Sequence, residues 1–173
     1  MPIPTLSGFI AGEKASAAKL TLHTKTAIEE AVYFKPYCRI NNSATQTFVS
    51  SSSVSGADCV MNTILDDTDG MADLVNNHIL ITTPGLYRLN AQVAWATNAT
   101  GFRVGLIFVN SNARSGGNTA AVTGAPTRFV MTAEERLNAG DFVFLRMGQN
   151  SGSSLLTDIG YRGCWLSAEW VSQ

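Results

Sequence analysis

Between Tyr87 and Trp95 the chain alternates with a period of two: Tyr87, Leu89, Ala91, Val93 and Trp95 share one parity, and Arg88, Asn90, Gln92 and Ala94 the other. Successive side chains of a β-strand point to opposite faces, so this segment predicts a long strand with one face in a core and a more polar face outside it. Pro84-Gly85 just before it is a turn signal, and His78–Thr82 on the far side of that turn reads as a second strand. A half-buried strand needs partners along its edges and an apolar layer against its inner face, so the rest of the chain has to supply more strands.

The sequence offers them as short apolar runs between polar turns. Tyr37–Ile40 opens the series, and Thr45–Ser55 places Thr47, Phe48, Val49 and Val54 in a Ser-rich setting suited to an exposed or edge strand. Cys59–Leu65 is more apolar and is closed by the turn Asp66-Asp67-Thr68-Asp69-Gly70. Phe102–Val109 carries Phe102, Val104, Leu106 and Phe108 on one parity, and Thr127–Met131 is a further strand. Leu137-Asn138-Ala139-Gly140-Asp141 reads as a tight turn feeding Phe142–Met147, and Gly148–Ser154 as a second turn. In the final run, Gly163–Val171, Cys164, Leu166, Ala168 and Trp170 oppose Trp165, Ser167, Glu169 and Val171. The small residues of Ser111–Ala125 read as a long loop, and Glu134-Glu135-Arg136 as a short turn with local ion pairs. Eight or more short strands with glycine-bearing turns and no alternating helices predict an all-β, two-sheet sandwich over residues 36–173.

The first 35 residues differ in kind. Pro2 and Pro4 discourage regular structure, whereas Glu13–Phe34 lacks Gly and Pro and repeats Ala17, Leu20, Ala27, Ile28, Ala31 and Val32 at three- and four-residue spacing. One or two short helices are expected there, weakened by Thr21, Thr24 and Thr26. Their apolar stripe is too small for its own core, so residues 1–35 are expected to dock on a partner or on neighbouring copies.

Charge narrows the function. Charged residues make up only 14% of the chain, against about a quarter in an average domain, which fits either a surface partly covered by other subunits or one where Ser, Thr and Asn replace charges. With 12 basic and 13 acidic side chains and no basic cluster, nucleic acid is not an expected partner. No run approaches the length of a membrane span, and the start MPIPTLSGFIAGEKASAAKL has no basic segment followed by an apolar core, so neither membrane insertion nor export is expected.

No catalytic, cofactor-binding or metal-binding residues are assigned, and no cofactor is expected. His23 and His78 stand outside any metal-ligand spacing, no G-x-S-x-G elbow is present, and Gly101, Gly105, Gly116 and Gly117 lack the G-K-[ST] ending of a phosphate loop and read as turn residues. Cys38, Cys59 and Cys164 are expected as buried free thiols, with a bridge between one pair as the alternative. Asp66, Asp67, Asp69 and Asp73 form the one acidic cluster; it reads as a solvated turn, with a calcium ion as the alternative. Arg103, Arg114, Arg128, Arg136, Arg146 and Arg162 are dispersed at positions suited to an intersubunit surface, or to ordinary exposure.

Three segments, in order and spacing, resemble the globular head shared by C1q-like and tumour-necrosis-factor-like proteins. Ile79-Leu80-Ile81-Thr82-Thr83-Pro84-Gly85-Leu86-Tyr87-Arg88-Leu89 is similar to the segment leading into a core strand of that family, and Leu137-Asn138-Ala139-Gly140-Asp141-Phe142-Val143-Phe144-Leu145 to the one preceding a late strand. Leu106-Ile107-Phe108-Val109-Asn110 resembles a family strand ending in Asn, and the last strand is again apolar; together the likeness covers about residues 37–171. It implies a ten-stranded jelly roll assembling as a compact homotrimer, with both ends of each head near its base and no enzymatic activity. Separately, Phe9-Ile10-Ala11-Gly12-Glu13-Lys14-Ala15-Ser16-Ala17-Ala18-Lys19-Leu20 resembles the start of many tailed-bacteriophage structural proteins. The two together imply a protein made in a host cytoplasm and displayed on a virion surface, as capsid decoration or head fibre. Residues 1–35 would then hold the major capsid protein or a tail protein. A tail component touching a host-surface glycan or protein, and a secreted ligand of the same fold, are the alternatives.

Overall fold

The computed structural model describes residues 35–51 and 56–173, and the one or two short helices expected over Glu13–Phe34 lie outside them. Among the described residues thirteen strands follow one another: β1 (Tyr37–Asn41), β2 (Thr47–Phe48), β3 (Ala57–Asp58), β4 (Thr63–Asp67), β5 (Ala72–Asp73), β6 (His78–Leu80), β7 (Gly85–Trp95), β8 (Phe102–Val109), β9 (Asn112–Ala120), β10 (Thr127–Leu137), β11 (Phe142–Gln149), β12 (Leu155–Leu156) and β13 (Trp165–Ser172). One sheet has the order β10-β7-β13-β1-β4; the other has β5-β6-β11-β8-β9, with β3 joining β11 on the edge it shares with β6; β12 and β2 make a small third pair. Every pairing is antiparallel, as the predicted sandwich requires.

The alternation of β7 has the expected consequence: Tyr87, Leu89, Ala91, Val93 and Trp95 are buried, and they meet Ile107, Val143, Leu145 and Met147 of the opposite sheet in one core. Trp95 meets Phe48 edge-on, ring centroids 5.1 Å apart, which closes the end of the sandwich where β2 and β12 pair. Gly105 marks a close approach of the two layers. A Cβ there would stand 2.6 Å from Val93 and 2.8 Å from Met131, so no larger residue fits without moving one of them.

Several expectations are corrected. Ser111–Ala125 is not a loop through its length, because Asn112–Ala120 is β9, an edge strand paired along β8. Gly105, Gly116 and Gly117 lie within strands rather than turns. The strand beginning at Thr127 runs on to Leu137, so Glu134-Glu135-Arg136 lies within the sheet; Arg88 pairs with Glu134 across the β7–β10 ladder at 3.0 Å, and Arg114 of β9, in the other sheet, reaches Glu135 at 3.9 Å. Strand structure expected at Cys59–Leu65 is displaced to Thr63–Asp67, and of Thr45–Ser55 the described part holds only Thr47–Phe48. On β8 the face is the surprise. The fully buried parity is Arg103, Gly105, Ile107 and Val109, while Phe102, Leu106 and Phe108 stand on the outer side, half-exposed.

Candidate functional site

An outward aromatic row on β8 and β11 is unusual, because an antiparallel strand with one solvated face ordinarily turns polar residues that way. Phe144 on β11 pairs directly with Phe108 on β8, and their rings stack with centroids 5.0 Å apart. Phe142, two residues along the same face, stacks on Phe144 at 6.0 Å and on His78 of β6 at 5.0 Å. Four near-parallel rings thus run across three strands. None of the three phenylalanines belongs to the core or to the half-buried side chains packed against it. Their contacts lie outside the core.

Arg146, next in parity on β11, completes the row. Its guanidinium lies over Phe108 and Phe144, 4.7 and 5.4 Å from the ring centroids, and its Nε donates to Asp58 Oδ1 at 2.7 Å. Asp58 sits on β3 directly opposite Arg146, so pairing of the two strands creates this contact across 88 residues of sequence. One nitrogen and one oxygen are used; the two terminal nitrogens of Arg146 and Asp58 Oδ2 have no hydrogen-bond partner among the described residues. Phe108, Phe142, Phe144, His78, Arg146 and Asp58 line a recess of about 350 Å³.

Its rim is held by a second set of bonds. His78 Nε2 lies 3.1 Å from Asp73 Oδ2. Hydrogen bonds from the Asn76 side chain and backbone hold the Asp73 carboxyl below the usual carboxylate range. Asn110, a left-handed residue at the end of β8, donates to Asp141 at 2.9 Å and accepts from the Phe142 N–H at 3.1 Å, which locks the start of β11 and with it the ring row. That first bond, and then one from the Asn138 N–H, lowers the Asp141 pKa.

The remaining expected residues do not converge on this recess. Asp67 accepts N–H bonds from Asp69, Met71 and Ala72, and Asp69 accepts from Thr82 and Thr83, so the acidic cluster organises its own turn. Among the described residues no three His, Cys, Asp or Glu are placed to hold a metal ion. Cys38, Cys59 and Cys164 are buried and free. His23 lies outside the described residues. The arginines do not share one surface: Arg103 is interior, donating to the carbonyls of Asn98, Thr100 and Phe102, and burial lowers its pKa.

The outer face of the other sheet carries a different patch. Trp165 of β13, half-exposed, lies under the Arg39 guanidinium at 4.2 Å, and the β10–β7–β13 register sets Val130, 66% exposed, in line with Gln92 and Trp165. Gln92 and Asn41 donate to the carbonyls of Tyr161, Gly163 and Arg162, holding a turn in which Tyr161 and Arg162 both take positive φ. Two bulky residues in the left-handed region are strained, and the turn presents Tyr161 at 85% exposure beside Arg128. Arg128 is fixed in turn by Asp158. No periodicity in the sequence signals Tyr161.

No protein-family model and no curated protein sequence matches the chain. Solved structures do. Murine APRIL at pH 5.0 superposes with a TM-score of 0.61 at 10% identity, covering 79% of this chain and 99% of that one. Eiger TNF from S. frugiperda gives 0.57 at 12% identity over 80% and 94%, and the globular domain of zebrafish complement 1qA protein 0.55 at 12% over 80% and 99%. The chain has the C1q/TNF-like jelly-roll fold. The resemblance in three short segments therefore extends to the architecture, with almost no identity to carry it. Residues 9–20, where the likeness to phage proteins lies, are outside the described residues. In this C1q/TNF-like sandwich the two patches occupy the outer faces of opposite sheets, so one can be covered while the other stays open.

Proposed function

We propose that the protein is a non-enzymatic, homotrimeric recognition head, associating through the outer face of β10-β7-β13-β1-β4 and offering the opposite face to a surface ligand. The observation that carries this reading is the patch of Trp165, Arg39, Val130, Arg128 and Tyr161. Aromatic residues and arginine are the anchors of protein interfaces, and the middle of the patch is filled by uncharged Asn90, Gln92 and Ser167, as an interface centre requires. The C1q/TNF-like fold supports three copies as the closed assembly, and the low charged fraction agrees with a covered face.

We place the head on a virion surface, held to a capsid or tail protein through residues 1–35, on the likeness of residues 9–20 to phage structural proteins. The open ring-lined recess favours contact with a host-surface receptor over simple shell decoration, and it serves equally a secreted ligand of this fold. Light scattering on the purified full chain should give three times the 18.5 kDa chain mass, falling to one in Trp165→Glu. A monomer at micromolar concentration in the unaltered protein would remove the trimer. Immunogold labelling of phage particles tests the location: gold on the tail or shell supports it, and bare particles refute it.

A further inference from the structure

The ring row on β8 and β11 lies outside the core of the sandwich, and its recess has the volume of a small-ligand site, at the lower end of the roughly 300–1,000 Å³ such sites span. A protein partner of ordinary size would need about 800 Å² of flat surface instead. The chemistry around the recess is mixed. Arg146 and Asp58 offset each other's charge, and the second carboxylate, Asp73, is bonded to Asn76 and His78. An anion entering beside Arg146 would meet the half-exposed Asp58 carboxylate, and a cation would meet the guanidinium. A neutral molecule with one apolar face and several hydroxyl groups meets neither obstacle. Aromatic carbon takes its C–H face, while two terminal guanidinium nitrogens and one carboxylate oxygen, all without other partners among the described residues, supply donors and an acceptor side by side.

We propose that this recess binds one neutral pyranose residue of a glycan, with its C–H face on Phe142 and Phe144 and neighbouring hydroxyls shared between Asp58 Oδ2 and the terminal nitrogens of Arg146. Prior stacking of the guanidinium on Phe108 and Phe144, and its bond to Asp58, fix these groups before the sugar arrives, which lowers the ordering cost of binding. The inference deepens the recognition role proposed above and rests on it. It does not rest on trimer formation, because every residue named belongs to one chain.

The test is saturation-transfer NMR on the full-length protein with a panel of methyl glycosides of neutral hexoses and deoxyhexoses at millimolar concentration. Methyl glucuronide and adenosine complete the panel as an acidic sugar and a non-sugar ring. Transfer to at least one neutral glycoside, strongest at ring C–H protons, is expected. Asp58→Asn and Phe142→Ala should each weaken it at least about tenfold. No transfer to any neutral glycoside, transfer confined to the glucuronide or adenosine, or equal binding by Asp58→Asn would overturn the proposal. Should Phe142→Ala not fold, Asp58→Asn at the strand edge decides alone. Light scattering on the same samples separates the two readings: a monomer that binds the sugar retains this site and loses the trimer, and a trimer that binds none does the reverse.

Discussion

Adjacent residues of β8 set up a test of which face of that strand holds the fold together. Ile107 is completely buried in the core, whereas Phe108 is half-exposed on the outer face, stacked on Phe144 beneath the Arg146 guanidinium. Truncating a buried isoleucine to alanine costs about 2–5 kcal/mol through lost burial and the cavity left behind. Phe108→Ala forfeits an aromatic pair, about 0.5–1.5 kcal/mol, and an exposed cation–π contact, about 0.5–1 kcal/mol, with little cavity because solvent fills the space. At roughly 3–4 °C per kcal/mol for a domain of this size, Ile107→Ala should lower Tm by about 6–20 °C and Phe108→Ala by about 3–10 °C, with the middle of the first range about twice that of the second. The order is informative because side-chain size alone predicts the reverse: phenylalanine in a core costs about 3–5 kcal/mol on truncation. Differential scanning calorimetry on both variants, with urea unfolding followed by tryptophan fluorescence as a second measure, reads the difference. A Phe108→Ala loss equal to or larger than that of Ile107→Ala would refute the assignment of the outer face, and the recess with it.

Gly105→Ala should cost about 1–3 kcal/mol by overpacking against Val93 and Met131, visible as a lower urea midpoint at unchanged slope. Deleting residues 164–173 removes β13 from between β7 and β1 and should abolish cooperative unfolding; a soluble protein with a sharp calorimetric transition after that cut would contradict the topology. The Asp141 carboxyl, lowered by the Asn110 bond, contributes stability that is present above its unfolded pKa near about 4 and is lost as pH falls through the lower folded value. Asp141→Asn should therefore lower Tm at pH 7 and flatten the acid limb of a Tm-against-pH curve. Burial, followed by the charges of Asp67 and Asp66, pushes the Cys38 thiol up to about 12, and the hydrogen bond with Cys164 followed by burial raises Cys59, so neither should react with iodoacetamide at pH 8 until the protein is unfolded.

Much of the sandwich was legible because two of its central strands announce themselves. The alternation of Tyr87–Trp95 and of Gly163–Val171 survives into β7 and β13, neighbours at the centre of one sheet. The edge did not read so well. Asn112–Ala120 contains nothing that composition marks as a strand, yet β8 offers it a full row of backbone partners, and Gly116 fits there because Leu106 already fills the space a side chain would need. Charges hid β10 in the same way: Glu134 suits a strand whose neighbour presents Arg88, and Glu135 meets Arg114 from the edge of the other sheet.

The recess was illegible for a different reason. Composition argues that Phe102, Leu106 and Phe108 face a core, and only the topology, which puts Arg103, Gly105 and Ile107 on the inner side, reverses that. Arg103 is tolerated there because the carbonyls of Asn98 and Thr100 in the preceding turn, and of Phe102 beside it, receive its guanidinium. Asp58 and Arg146 meet through the pairing of β3 with β11, a long-range contact that no local pattern encodes.

The first and last main strands lie side by side, Tyr37 opposite Glu169, with the Trp170 N–H bonded to the Pro36 carbonyl where the chain enters the domain. Mechanically this makes the head anisotropic. Pulling the two ends apart opens β1 from β13 one rung at a time, the weakest way to load a sheet. A tether acting on residue 35 against a load carried by the body of the domain instead drags β1 lengthwise between β13 and β4, so all its rungs resist together. A head fastened by its leader and gripped on its ring-lined face is loaded in the strong direction, and one stretched between its own two ends is loaded in the weak one.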